Sequence, residues 1–134
     1  MQRPLVAAVI AALALPAHAQ QIGAYHAEIG PEDRRNSRGV ALGDPGAILQ
    51  QDRANVHRFG IRHGGDDVDG FFGDRGLRSR IPQLLAAGPR DPLIERLLVS
   101  EDWNVGIVVF LCERSGRLAY LALDHADGDG HRGC

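Results

Sequence analysis

Residues 103–123 read WNVGIVVFLCERSGRLAYLAL, and the fold class follows from them. Two runs rich in β-branched and aromatic residues, 103–112 and 118–123, flank Glu113-Arg114-Ser115-Gly116-Arg117, a polar loop with a glycine. That pattern predicts an antiparallel β-hairpin. In the first run Val105, Ile107, Val109 and Leu111 point one way while Val108, Phe110 and Cys112 point the other, so both faces are apolar. A strand of this kind needs cover on both sides. Two strands alone are marginal in water, so the hairpin calls for a third strand, from 22–29 or 93–99, or for pairing with a second copy of the chain.

Helix signals fill the region before the hairpin. Asp44-Pro45 combines an N-cap residue with proline at the first helical position, and Gly60 supplies a stop, which predicts a helix over 45–59. Ile48, Leu49, Val56 and Phe59 form its apolar stripe, with Asp52 on the same stripe. Asp74 caps a second helical stretch in which Leu77, Ile81, Leu84 and Leu85 recur at helical spacing up to Gly88; Pro82 predicts a kink or a late start near residue 80. Asp91-Pro92 tips 93–99 towards a short helix. Residues 20–43 carry Gly30-Pro31, a charged run at 32–35 and turn formers, and read as an irregular lead-in with at most a short strand around Ile22–Tyr25. The expected architecture is α+β: two or three short helices on a small antiparallel sheet built around the C-terminal hairpin. The helical part occupies 45–87 and the hairpin with its tail 103–134.

The chain opens with Arg3, an apolar run from Leu5 to Leu15, and Pro16-Ala17-His18-Ala19 before Gln20. This is the layout of a secretory signal peptide with cleavage after Ala19, and its apolar run is too short to span a bilayer. The expectation is a leader over 1–19 and one small domain over 20–134, working in the periplasm or outside the cell. Removing the leader takes away Arg3 alone among the charged groups, leaving 14 basic and 17 acidic residues. Every basic residue is arginine. In an oxidising compartment Cys112 and Cys134 are expected to pair. Closing a loop of about 23 residues stabilises by about 3 kcal/mol on the chain-entropy account.

Motifs for chemistry are sparse. The mature chain has four serines, none in G-x-S-x-G or S-x-x-K, and there is no H-E-x-x-H or phosphate loop. Asp52 and His57 lie five apart, about 140° around an α-helix, and do not face each other. A buried Asp52 bonded to one of the arginines is the commoner arrangement. Asp66, Asp67 and Asp69 in the loop RHGGDDVDGFFGDRG (62–76), and Asp124, Asp127 and Asp129 in the tail, offer carboxylates of the kind that wrap Ca²⁺, although the spacing of an EF-hand fails. Phe71 and Phe72, set between glycines, offer either an apolar tip for a partner or a core plug, with a plug favoured for one of them. Residues 34–62 hold six arginines against Asp44 and Asp52, and Arg53 and Arg58 head the candidates for contact with an anion.

The expected function is a non-catalytic binding or accessory protein of the cell envelope without a cofactor. Its partner would be another envelope protein or an anionic envelope polymer. A homodimer is compatible with the two-faced hairpin. Nucleic acid is not expected of an exported domain without aromatic–basic interleaving. The alternative is a small Ca²⁺- or Zn²⁺-binding, or hydrolytic, protein using the Asp-rich loops.

Overall fold

The computed structural model describes residues 16–100, 102–127 and 133–134. Most of the predicted leader, together with Asp129, lies outside the described residues.

The fold is mixed α+β. Strands β1 (Gln20–Ile29), β2 (Val105–Arg114) and β3 (Arg117–His125) form an antiparallel sheet in the order β1-β2-β3, so the apolar strand takes the centre. β2 and β3 make the predicted hairpin, but its loop is shorter than the five residues expected. Only Ser115 and Gly116 lie outside the strands, at φ 52° and 76°. Two successive positive-φ residues twist the chain as the strands do, and this lets pairing continue to Arg114 and Arg117.

The third strand comes from the segment expected to be mostly irregular. β1 runs ten residues because Tyr25, Ala27 and Ile29 alternate into the core while Ala24 and His26 stay outside. Residues 93–99, the other candidate, are helical.

Among the described residues four α-helices accompany the sheet: α1 (Pro45–Ala54), α2 (Arg75–Arg78), α3 (Ile81–Ala87) and α4 (Pro92–Val99). Asp44, Asp74 and Asp91 cap α1, α2 and α4 through their carboxylates. Pro82 opens α3, so the second helical stretch is broken at Ser79–Arg80 as the proline predicts. Ile48, Leu49, Ile81, Leu84, Leu85, Ile94 and Leu98 join the inner sheet residues Ile107, Val109, Leu111, Leu121 and Leu123 in one core. At Gly88 a Cβ atom would come within 2.1 Å of the Leu121 carbonyl, so only glycine lets α3 end this close to β3. On the opposite sheet face Cys112, Tyr120 and Ala122 form a smaller cluster, and Cys112 is disulfide-bonded to Cys134.

The helix expected over 45–59 changes pitch. After Ala54 the chain continues as a π-helical turn over Asn55–Phe59, ended by Gly60 in the left-handed conformation. The wider turn carries Phe59 off the apolar stripe: Ile48, Leu49 and Val56 are buried, but Phe59 is 43% exposed.

No helix among the described residues is long and apolar enough to cross a membrane.

Candidate functional site

The 60–74 loop folds around Arg53. This guanidinium is fully buried, and its Nε donates to Asp52 Oδ2 at 2.7 Å. Nη1 donates to the Asp67 carbonyl at 2.8 Å and to Asp69 Oδ2 at 2.9 Å, and Nη2 lies 3.5 Å from Asp66 Oδ1. The Tyr25 ring lies on the guanidinium, 4.4 Å away. A buried cation is tolerable only when paired and hydrogen-bonded, and here the Asp66 and Asp69 carboxylates, the Asp52 carboxyl group and an aromatic face do both.

The loop carboxylates are thereby spent on structure. Asp69 Oδ1 accepts the Phe71 and Phe72 amides, and its Oδ2 also bonds His57 Nε2 at 2.8 Å. Asp66 accepts the Glu28 and His63 amides. Exposed Asp67 accepts the His26 amide and pairs with the His26 ring. Asp52 and His57 make no direct bond, as their spacing implies, yet Arg53 and Asp69 join them in one network. Burial pushes the Asp52 carboxyl up to about 8 against the pull of Arg53, and its Oδ1 has no hydrogen-bond partner among the described residues.

Several of the expected site residues are drawn into the interior or into this network. Arg53 is buried and saturated. Phe72 is the core plug, set edge-on to Tyr25 with centroids 5.8 Å apart, and Phe71 is half-buried, its ring lying against Gly23. Asp66 is buried, with a structural role. In the tail, Asp124 is buried and bonds the His125 amide, while Asp127 is exposed. Among the described residues no three His, Cys, Asp or Glu side chains are grouped to hold a metal ion.

Arg58, one of the expected contact residues, faces an open cleft. The outer face of α1, through Ala47, Gln50, Gln51 and Ala54, lines a cavity of about 410 Å³ whose walls include Arg58 from the π turn and Arg75 and Arg78 from α2. Among the described residues no carboxylate lines it. Arg78 is only 7% exposed; its Nη1 donates to the Phe72 and Gly73 carbonyls at 2.9 and 3.3 Å, and it makes no salt bridge among the described residues. Arg58 rests on the Phe59 ring at 4.9 Å, which fixes its direction. Ser79 Oγ donates to the Gly76 carbonyl and has no histidine partner, so the cleft holds no activated nucleophile among the described residues. Its charged lining is three guanidinium groups, planar donors of the kind that can bind anions in a bidentate way.

Arg75 and Arg78 were missing from the expected site. A signal existed: residues 75–90 carry four arginines and no acidic residue, a second basic block beside the 34–62 one.

An α+β domain with a cationic cleft between its first two helices is thus defined by structure alone. Compared with protein-family models, curated proteins and solved structures, the chain matches none.

Proposed function

We propose that the protein is a non-catalytic binding protein of the cell envelope that holds an anionic ligand in the cleft between α1 and α2. The observation that carries this reading is Arg78: a nearly buried cation without a carboxylate partner among the described residues, opening onto a cavity that two further arginines line. Leaving a buried charge uncompensated is costly, and a bound anion would offset that cost. The exported address rests on the leader-like residues 1–19 and on the Cys112–Cys134 disulfide, a bond that persists in oxidising compartments.

Calorimetric titration of the 20–134 domain with inorganic phosphate and with citrate tests the reading. Binding at a Kd of about 1 mM or tighter is expected, weakening as salt is raised. The double variant Arg58→Glu/Arg75→Glu should lose at least about tenfold in affinity with its melting temperature preserved, since both side chains are exposed. An absence of heat and of any anion-induced rise in melting temperature would sink the proposal, because a ligand that binds the native state stabilises it.

A further inference from the structure

The arginine cleft does not end at its own walls. Asn36 and Gln51 line both it and a neighbouring cavity of about 550 Å³, in which Phe59 and Ile61 stand 43% and 39% exposed. Arg58 and Phe59, adjacent on the π turn and stacked on each other, connect the two: the guanidinium belongs to the first compartment, the ring to the second. A regular α-helix would carry Phe59 on the buried stripe, so the π turn itself builds this junction.

The polar atoms along the shared wall are of mixed kind. Asn36 Oδ1 is held by the Arg38 and Val40 amides, which leaves its Nδ2 donor without a partner among the described residues. Gln51 Nε2 donates to Asn55 Oδ1, which leaves the Gln51 Oε1 acceptor open. A hydroxyl both donates and accepts, so a donor and an acceptor side by side suit a polyol. An exposed aromatic ring suits the C–H face of a pyranose, with a few placed polar groups fixing orientation. An acyl chain would need an enclosed apolar channel, whereas the second compartment is open and mixes its two apolar residues with Glu32, Arg35, Ser37 and Asn55.

Resting on the anion-binding reading above, we infer that the ligand is an acidic oligosaccharide. Its carboxylate or phosphate sits among Arg58, Arg75 and Arg78, and a neighbouring sugar ring lies on Phe59 across Asn36 and Gln51. Two linked subsites bind a ligand long enough to span both more tightly than either alone.

The test is calorimetry of the 20–134 domain with four probes: galacturonic acid, an oligogalacturonate of four or more residues, a neutral malto-oligosaccharide of equal length, and phosphatidylglycerol vesicles. The oligogalacturonate should bind at least about tenfold more tightly than the monomer and the neutral oligomer. Phe59→Ser should lose about five- to tenfold more affinity for the oligogalacturonate than for the monomer, and Phe59→Tyr should retain both. Arg75→Glu should weaken both acidic ligands. An oligomer that binds no better than the monomer overturns the inference, as does indifference to Phe59→Ser or Phe59-dependent binding to the vesicles. In those cases monomer binding still stands, so the anion cleft survives; if no anion binds at all, both readings fall together.

Discussion

The Arg53 guanidinium lies 4.4 Å from the centre of the Tyr25 ring, both side chains fully inside the protein. A charge at the centre of so small a core organises everything near it. Removing it would strand Asp52, Asp66 and Asp69 in the interior, so Arg53→Met should cost about 3–5 kcal/mol in urea unfolding at pH 7. Arg53→Lys should also be strongly destabilising, since one ammonium cannot reproduce the forked contacts. The loss in Arg53→Met should shrink as the pH is lowered, because protonation neutralises the stranded carboxylates. A variant within about 1 kcal/mol of the parent at pH 7 would refute the structural role of the network.

Stability should fall as the pH rises through the neutral range. Burial opposes the charging of His63, but the Glu32 hydrogen bond and the Asp33 and Asp66 carboxylates outweigh it and raise its pKa above 6.5. That contribution is complete below 6.5 and is lost as the pH climbs through the raised value. Asp52 acts in the same direction: between 3.8 and about 8 the folded state keeps a proton that the unfolded chain gives up, so stability drops across that window. Asp52→Asn and His63→Gln should each flatten the slope of urea midpoint against pH. Equal slopes in parent and variants would contradict the assignment.

On the acid side the sign reverses. Hydrogen bonds from Asn104 and from the Gly65 amide hold Glu28 below its usual range, and the His26 amide does the same for Asp67. Their stabilisation is present above the ordinary carboxylate values and disappears as the pH falls through the lowered ones. A stability maximum is therefore expected in mildly acidic solution, and thermal melts from pH 3 to 9 should find it.

The Cys112–Cys134 bridge spans 22 positions and ties the C-terminal residues to the central strand, and Tyr120 Oη on β3 donates to the Cys134 carbonyl. Reduction, or the double change to serine, should cost about 3 kcal/mol. Unchanged melting with and without dithiothreitol would argue against it.

Ser115 holds the strained first position of the two-residue turn at φ 52°. Ser115→Asn should raise stability by a few tenths of a kcal/mol to about 1, because asparagine before glycine favours this turn. Gly116→Val should lower it by about 1–2 kcal/mol. Paired urea titrations would show both signs.

Elements whose identity rests on neighbouring residues were legible in the sequence. The three aspartate caps, the break at Pro82 and the two-faced central strand all act through local backbone geometry or through the period of side-chain direction. β1 was underestimated because its apolar side consists of Tyr25, Ala27 and Ile29 separated by polar residues, and the strand needs β2 beside it to be worth forming. The particular partner of the loop carboxylates was not legible, because Arg53 lies 13 to 16 positions away and is brought to them only by tertiary folding. Arg58 was legible as exposed charge, but the cleft it faces needs α2, whose arginines gain meaning only once α1 packs beside them.

The carboxylates that encircle Arg53 also hold the backbone of a segment that has almost no regular structure. The amides of His63, Phe71 and Phe72 end on aspartate oxygens rather than on carbonyls of a neighbouring strand. In hydrogen exchange this irregular stretch should behave like a core element at neutral pH, with those protons among the slow ones. Because the Asp69 carboxylate that holds the Phe71 and Phe72 amides titrates and carbonyls do not, acid should release those two before the sheet, so that the rigidity of an otherwise irregular loop is set by proton concentration.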